Sequence, residues 1–428
     1  MRSNPIVFFL IVTLIIGLLD TYIYYGIKKV VRDLNPKLVI GVKIAFWLVT
    51  IIAVTGIGAI MLLRSYLPTD SATGWFHFVS GFFMLFYVPK LIFLVFNILD
   101  DLIFGIRYLW NKIKHKPQIS SNAPTITRRK FLNTTGIIFA AIPFASLFYG
   151  IVKGKFDFTV RNIKIGFDNL PQSFSGIKIL QISDFHLGSF VNNREEVEEA
   201  VKLVNEQNAD YVVFTGDIVN NVSAEAESFK DLLKNIKSKR GKFSVLGNHD
   251  YGDYVRWNSP AEKAQNLDKL KSIQREAGFD LLLDENRSIV IDDDKIEIVG
   301  VENWGLRPFP QYGNLEKALN GTQSDTFKIL LSHDPTHWDA QVRDTDINLT
   351  LSGHTHGAQF GVEIPGWRWS PANLRYEQWG GLYNKTNKNG KKQYIYVNTG
   401  IGFIGFPGRI GMPPEITVFE LYNNKGLV

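Results

Sequence analysis

Residues Gly247, Asn248, His249 and Asp250 follow the short apolar run 243–246, so an amide oxygen, an imidazole and a carboxylate stand together where a strand should end. Open α/β sheets collect their ligands at that edge. The same form recurs: 178–183 leads into Asp184 and His186, 211–215 into Gly216 and Asp217, 327–332 into His333, and 347–352 into Gly353, His354 and His356. Five of the eight histidines fall in these clusters, which scattered structural histidines would not do. Carboxylate, carboxamide and imidazole without thiolate suit catalytic Mn, Fe or Zn better than a structural zinc site, and the chain has no cysteine to offer. The donors are too many for one tetrahedral ion, so two divalent metal ions are expected. A pair about 3.5–4 Å apart can clamp both the attacking and the leaving oxygen of an in-line displacement. Phosphate esters need that charge neutralisation most.

The elements that must position these residues begin near residue 156. Short β-type runs alternate with helical stretches at 194–208, 224–237 and 260–277, and later runs at 295–301, 393–398 and 415–421 add strands with less helix between them. This reads as a layered α/β sheet core over 156–428, with 384–392 as an exposed loop. The aromatic segments at Trp257, 304–309 and 367–369 lie near the motifs, either as a rim toward lipid or as packing.

Residues 1–152 differ in kind. They hold fifteen Lys and Arg against five Asp and Glu, whereas the remainder is net acidic. The excess positive charge therefore flanks membrane segments and gives no nucleic-acid footprint. Apolar runs at 5–27, 44–63 and 75–99 give a three-helix transmembrane region within 1–110. A basic loop occupies 111–130, and 131–152 forms a fourth span and retained anchor. Lys90, inside the third run, must reach the headgroups or find a partner, and reaching out is the plainer expectation. Lys28, Lys29, Arg32, Lys37 and Lys43 fill the first loop, and the stretch 107–130 around the third carries seven Lys and Arg with no acid. Both belong in the cytoplasm by the positive-inside rule, which leaves the second half of the chain extracytoplasmic at the cytoplasmic membrane. Residues 127–133 resemble a twin-arginine export signal, although they lie deep in the chain and end in Asn133.

Taken in order, Asp184-x-His186, Gly216-Asp217-x-x-Asn220, Gly247-Asn248-His249-Asp250, His333 and Gly353-His354-x-His356 resemble the signature of the calcineurin-like metallophosphoesterases. The anchor, residues 357–359 and the Pro413-Pro414-Glu415 stretch are similar to the bacterial membrane-associated branch. The resemblance implies a four-layer α/β/β/α sandwich and a metal-dependent phosphoric ester hydrolase. It implies that Asp184, His186 and His356 hold one metal, that Asn248, His333 and His354 hold the other, and that Asp217 bridges. It also implies a metal-activated hydroxide as attacking group, His249 facing the leaving oxygen, and Asp250 orienting that imidazole. Arg409 is a candidate phosphate contact, with an ordinary surface arginine as the plainer reading; His337 and His77 read as structural. Anchoring favours a phosphodiester or pyrophosphate substrate in or near the membrane, such as a lipid-linked one. A phosphomonoesterase of the same fold and a non-catalytic di-metal scaffold or sensor are the alternatives.

Overall fold

The structure, a computed structural model, describes residues 5–63, 69–114, 128–388 and 390–426. The chain divides into two compact units, Met1–Ile151 and Val152–Val428. The first contains helices α1 (Pro5–Val31), α2 (Pro36–Leu63), α3 (Thr69–Ile113) and α4 (Arg128–Val152), all long and apolar enough to cross a membrane. Large apolar side chains such as Ile11, Leu14, Leu18, Ile40 and Ile51 stand more than half exposed, as a lipid-facing surface requires. The third span does not stop near residue 99. It continues for 45 residues, about 68 Å at 1.5 Å per residue, because apolar and helix-favouring residues persist to Ile113 with no proline after Pro89.

Lys90 does not reach outward. Its Nζ lies 2.9 Å from both carboxylate oxygens of Asp20, and it sits over the rings of Phe46 and Tyr87 at 4.4 and 4.3 Å. The Tyr87 hydroxyl donates to the same carboxylate at 2.9 Å, and the Thr50 hydroxyl also donates to it. Asp20 is fully buried, so its charge is compensated wholly by side chains of α2 and α3. Further along, Lys29 approaches Asp100 and Asp101 at 3.9 and 3.8 Å, and the Tyr22 hydroxyl donates to Asp101 at 2.7 Å. These pairings make α1 and α3 run in the same direction. The basic segment 115–127 and the Arg128 and Arg129 side chains lie outside the described residues.

The second unit contains β1 (Thr159–Phe167), β2 (Ile177–Ile182), α5 (Arg194–Glu206), β3 (Tyr211–Phe214), α6 (Ala224–Glu227), α7 (Lys230–Lys234) and β4 (Gly241–Ser244). Then come α8 (Pro260–Glu276), β5 (Asp280–Leu281), β6 (Glu285–Ile291), β7 (Asp294–Gly300), α9 (Leu315–Leu319), β8 (Phe327–Leu331), α10 (Thr336–Ala340) and β9 (Leu349–Ser352). Strands β10 (Val362–Ile364), β11 (Trp367–Trp369), β12 (Gly381–Thr386), β13 (Lys392–Val397) and β14 (Glu415–Asn423) complete it. Two six-stranded sheets form, in the orders β1-β14-β2-β3-β4-β5 and β12-β13-β9-β8-β7-β6.

Alternation along each strand makes four layers. Ile179, Val213, Phe243 and Val245 of the first sheet meet Ile298, Ile329, Leu331, Leu349 and Leu351 of the second in one core. The outer face of the first sheet packs on α5, α7 and α8 through Leu180, Ile182, Val201, Leu233 and Leu270. The outer face of the second covers α9 and α10 through Val299, Leu330, Leu315 and Trp338. The architecture is thus the expected α/β/β/α sandwich. Two local expectations change. The stretch 224–237 is two short helices, broken where Phe229 turns into the core at 1% exposure. The ends of 384–392 are strand, residues 384–386 of β12 and Lys392 of β13, with Thr386 paired to Lys392, and the expected loop shortens to the turn between them.

Replacing either member of the Asp20–Lys90 pair should leave an uncompensated buried charge and cost about 3–5 kcal/mol. In detergent-solubilised full chain, D20N and K90M should each lower the thermal midpoint, and the double variant should recover most of the loss. Additive losses would contradict the pairing.

Candidate metal centre

Strands β2, β3 and β4 are mutually parallel, as are β8 and β9, so the residues that follow them gather at one edge of the sandwich. Asp184 and His186 follow β2, Asp217 follows β3, and Asn248 and His249 follow β4; the opposing sheet supplies His333, His354 and His356. Gln181 ties the sheets beneath them, its Nε2 donating to Thr215 Oγ1 at 3.0 Å and to the Ser352 carbonyl at 2.8 Å. Asp184, His186, Asp217, His354 and His356 have φ of 51°, 47°, 59°, 73° and 51°. Such left-handed residues without glycine cost about 1–2 kcal/mol each, and strain of this kind concentrates at functional sites. The sharp turns aim consecutive side chains into one space.

Two groups of ligand-type atoms result, Asp184 with His186 and His356, and Asp217 with His333 and His354. In the first, His356 Nε2 lies 3.3 Å from Asp184 Oδ1 and 3.1 Å from His186 Nε2. Asp217 Oδ2 lies 3.6 Å from His186 Nε2 and 3.2 Å from His333 Nε2, between the groups. Asn248 joins the second group. Its Nδ2 donates to the Tyr254 hydroxyl at 2.8 Å, which turns Oδ1 toward His354 Nδ1 at 2.8 Å and His333 Nε2 at 3.2 Å.

The tautomers can be argued from the outer partners. His333 Nδ1 faces the Thr215 carbonyl at 2.8 Å and must donate, and His354 Nε2 faces Asp334 Oδ2 at 3.4 Å and the Tyr376 hydroxyl at 3.0 Å. In the neutral ring the inward His333 nitrogen is then a bare lone pair, directed at the lone pairs of Asn248 Oδ1, whereas His354 Nε2 meets a hydroxyl able to donate or accept, which serves either of its tautomers. Two acceptors 3.2 Å apart with no hydrogen between them repel unless a cation or a proton intervenes. The donor set therefore fits a divalent ion. Charges agree with this. Burial lowers the pKa of His186 and His354 and keeps them in the neutral, ligating form. Burial also opposes ionisation of Asp217, but His333, His249 and His186 around it hold its carboxyl well below the usual range. His333 goes the other way, to about 10, because the Asp217 carboxylate outweighs burial. A metal at this point would take that proton's place.

The fully buried carboxylate of Asp250 accepts from the backbone N–H groups of Asp217 and Ile218 at 2.9 Å and Gly247 at 2.8 Å, which binds the loops after β3 and β4 together. Burial and the neighbouring Asp217 carboxylate push Asp250 up to about 7. The partner of His249 Nδ1 is the Asn220 carbonyl, at 2.6 Å, and the His249 N–H donates to Asp217 Oδ1 at 2.8 Å. Glu225 holds that carbonyl's loop by accepting from the N–H groups of Asn220 and Asn221. Arg409 is neither a surface residue nor a phosphate contact. It is 1% exposed and donates to the carbonyls of Gly402, Thr399, Gly400 and Met412, with burial lowering its pKa to about 10. His337 is structural, between the Ser332 hydroxyl and the Gln341 side chain. Sequence reasoning passed over Asp334, Tyr254 and Tyr376; only the adjacency of Asp334 to His333 offered a signal.

A parallel-edged sandwich whose two sheets pool carboxylate, amide and imidazole ligands defines a dimetal phosphoesterase fold, and comparisons with known proteins agree. Residues 177–358 match the calcineurin-like phosphoesterase family model, and residues 2–155 match the model for the transmembrane domain of such phosphoesterases. The metallophosphoesterase YkuE of Bacillus subtilis is 33% identical over 257 residues, covering 59% of this chain and 81% of that protein. A metallophosphoesterase of Aquifex aeolicus is 34% identical, covering 61% and 91%. A transmembrane protein with metallophosphoesterase domain from Danio rerio is 31% identical, covering 63% of this chain and 58% of its own length. The chain belongs to the calcineurin-like metallophosphoesterase family. It is an integral membrane protein and a metal-dependent phosphoester hydrolase.

Asp250→Ala should strand three buried N–H groups at about 1–3 kcal/mol each. The thermal midpoint of the full chain should fall markedly. Lost turnover with unchanged stability would instead support direct action of Asp250 on His249.

Proposed function

We propose that Asp184, His186 and His356 hold one divalent ion, that Asn248, His333 and His354 hold a second, and that Asp217 serves both. The observation that carries this reading is the Asn248 amide oxygen facing two imidazole nitrogens, His354 Nδ1 at 2.8 Å and His333 Nε2 at 3.2 Å. Two ions held there would neutralise phosphoryl charge and lower the pKa of water. The chain's own residues supply the rest. With Nδ1 committed to the Asn220 carbonyl, His249 keeps Nε2 for the substrate, and its protonated form hands a proton to the leaving oxygen. The Asp217 contact to the His249 N–H keeps that ring in register with the ligands.

The substrate we infer is a phosphodiester or pyrophosphate carried by a lipid. Phe309 stands 4.5 Å from the His354 ring; Leu306, three residues before it, is 52% exposed, Tyr254, whose hydroxyl meets Asn248, is 42% exposed, and Leu374, two residues before Tyr376, is 84% exposed. Apolar groups of this size left open to water suit a substrate with an apolar part. The reading also has the second unit extracytoplasmic. Lys130 reaches Asp33 at 2.9 Å, which supports both basic loops lying at one end of the helix bundle, and such an end faces the cytoplasm.

Full chain supplied with Mn²⁺ should hydrolyse bis-p-nitrophenyl phosphate and a nucleotide-diphosphate-linked lipid faster than p-nitrophenyl phosphate. His249→Ala should lose about 10²–10⁴-fold in turnover with its metal content intact, whereas Asp217→Asn should lose both. Preference for the monoester would overturn the substrate reading, and full activity in H249A the assignment of that residue. The orientation has its own check. A cysteine at Leu374, in a chain with no other, should react with a membrane-impermeant maleimide on intact cells, and labelling only after lysis would reverse the topology.

A further inference from the structure

Strands β10 and β11 form a separate two-stranded hairpin, in register Val362↔Trp369, Glu363↔Arg368 and Ile364↔Trp367. Directly paired residues share a face, so Val362, Ile364, Trp367 and Trp369 project together on one side and Glu363 and Arg368 on the other. The charged side is fastened to the domain. Glu363 forms a two-point ion pair with Arg161 of β1, at 3.0 and 2.7 Å, and Arg368 donates to the Gly380 carbonyl at 2.9 Å and stacks on Trp379 at 4.7 Å. The apolar side has no cover: Val362, Ile364, Trp367 and Trp369 are 45%, 54%, 54% and 41% exposed.

We propose that this face docks into the interfacial layer of the bilayer that the chain's own helices span. Two tryptophans beside two aliphatic side chains are the composition that membrane interfaces select, an apolar body with a polar indole N–H. The covalent path limits the distance. Arg161, which clamps the hairpin, follows the end of α4 at Val152 by nine residues, a reach of at most about 30 Å even when extended. The hairpin is thus tied to the first strand after the anchor and cannot leave the neighbourhood of the membrane. Past Trp369 the chain runs through the exposed Leu374 to Tyr376, whose hydroxyl touches His354. Docking would therefore present the metal centre to esters lying in the bilayer, a step that rests on the lipid-substrate reading above; the docking itself does not.

The test uses full chain in nanodiscs. Because the protein has no cysteine, Ile364→Cys takes a single nitroxide, with Lys202→Cys on α5 as an aqueous control. Collision with oxygen should exceed collision with a water-soluble nickel chelate at residue 364 and not at 202. An aqueous signature at 364 would overturn docking, and exclusion of both reagents would overturn it in favour of a second protein copy. In the kinetic arm, W367A/W369A should keep its rate on bis-p-nitrophenyl phosphate and lose about tenfold or more on a bilayer-borne ester. Equal rates on the lipid ester with interfacial depth intact would keep docking and overturn substrate presentation.

Discussion

Repulsion among acceptor atoms is the constraint on which this molecule turns. Two carboxylates, an amide oxygen and four imidazoles converge at one edge of the sandwich, nearly all fully buried. Outer partners such as the Thr215 carbonyl behind His333 leave the neutral ring no hydrogen to turn inward, so that a proton or a cation must relieve the crowding. An arrangement of this kind has low free energy only with positive charge inside it. The left-handed turns serve the same end. Five residues of the candidate centre accept backbone strain because the alternative geometries would point their side chains away from one another. Gly247 and Gly353 complete the fit, since a side chain at either would collide with the carboxylate of Asp217 or Asp184.

The polar network beneath and behind the centre resists that strain. Asp250 gathers three N–H groups from two loops, Glu225 closes the loop that carries the Asn220 carbonyl, and Arg409 gathers carbonyls from the segments 399–402 and 412. Each is a buried ionisable group held mainly by backbone dipoles, and Arg409 also meets His356 Nδ1 at 3.2 Å. The candidate centre is thus positioned by buried side chains holding main chain, and its side chains inherit their places from it. The membrane unit uses related physics, with Asp20 saturated by a lysine, a tyrosine and a threonine from two other helices.

What the sequence made legible were features set by local pattern. Apolar runs ending in Asp, Asn or His marked the strand edges, and because β2, β3, β4, β8 and β9 are short and buried, their ends fell close to where the motifs placed them. The unread features depend on distance in the chain. Lys90 finds Asp20 seventy residues away, and nothing local distinguishes a paired lysine from one that reaches for headgroups. Asp250 follows His249 directly, yet its carboxylate accepts from main-chain N–H groups and the imidazole Nδ1 meets the Asn220 carbonyl, partners that adjacency does not announce. Arg409 looked like a surface residue because its partners are carbonyls, which carry no signature. The break at Phe229 likewise reflects a tertiary demand, the pull of the core on one ring, overriding helix propensity.

Spin coupling tests the central claim most directly. Full chain loaded with two equivalents of Mn²⁺ should give the broadened, exchange-coupled electron paramagnetic resonance spectrum of two ions sharing a carboxylate, and Asp217→Asn should abolish it. Two bound ions with independent six-line spectra in the unmodified chain, unaltered by Asp217→Asn, would contradict a shared centre at the junction of the two sheets.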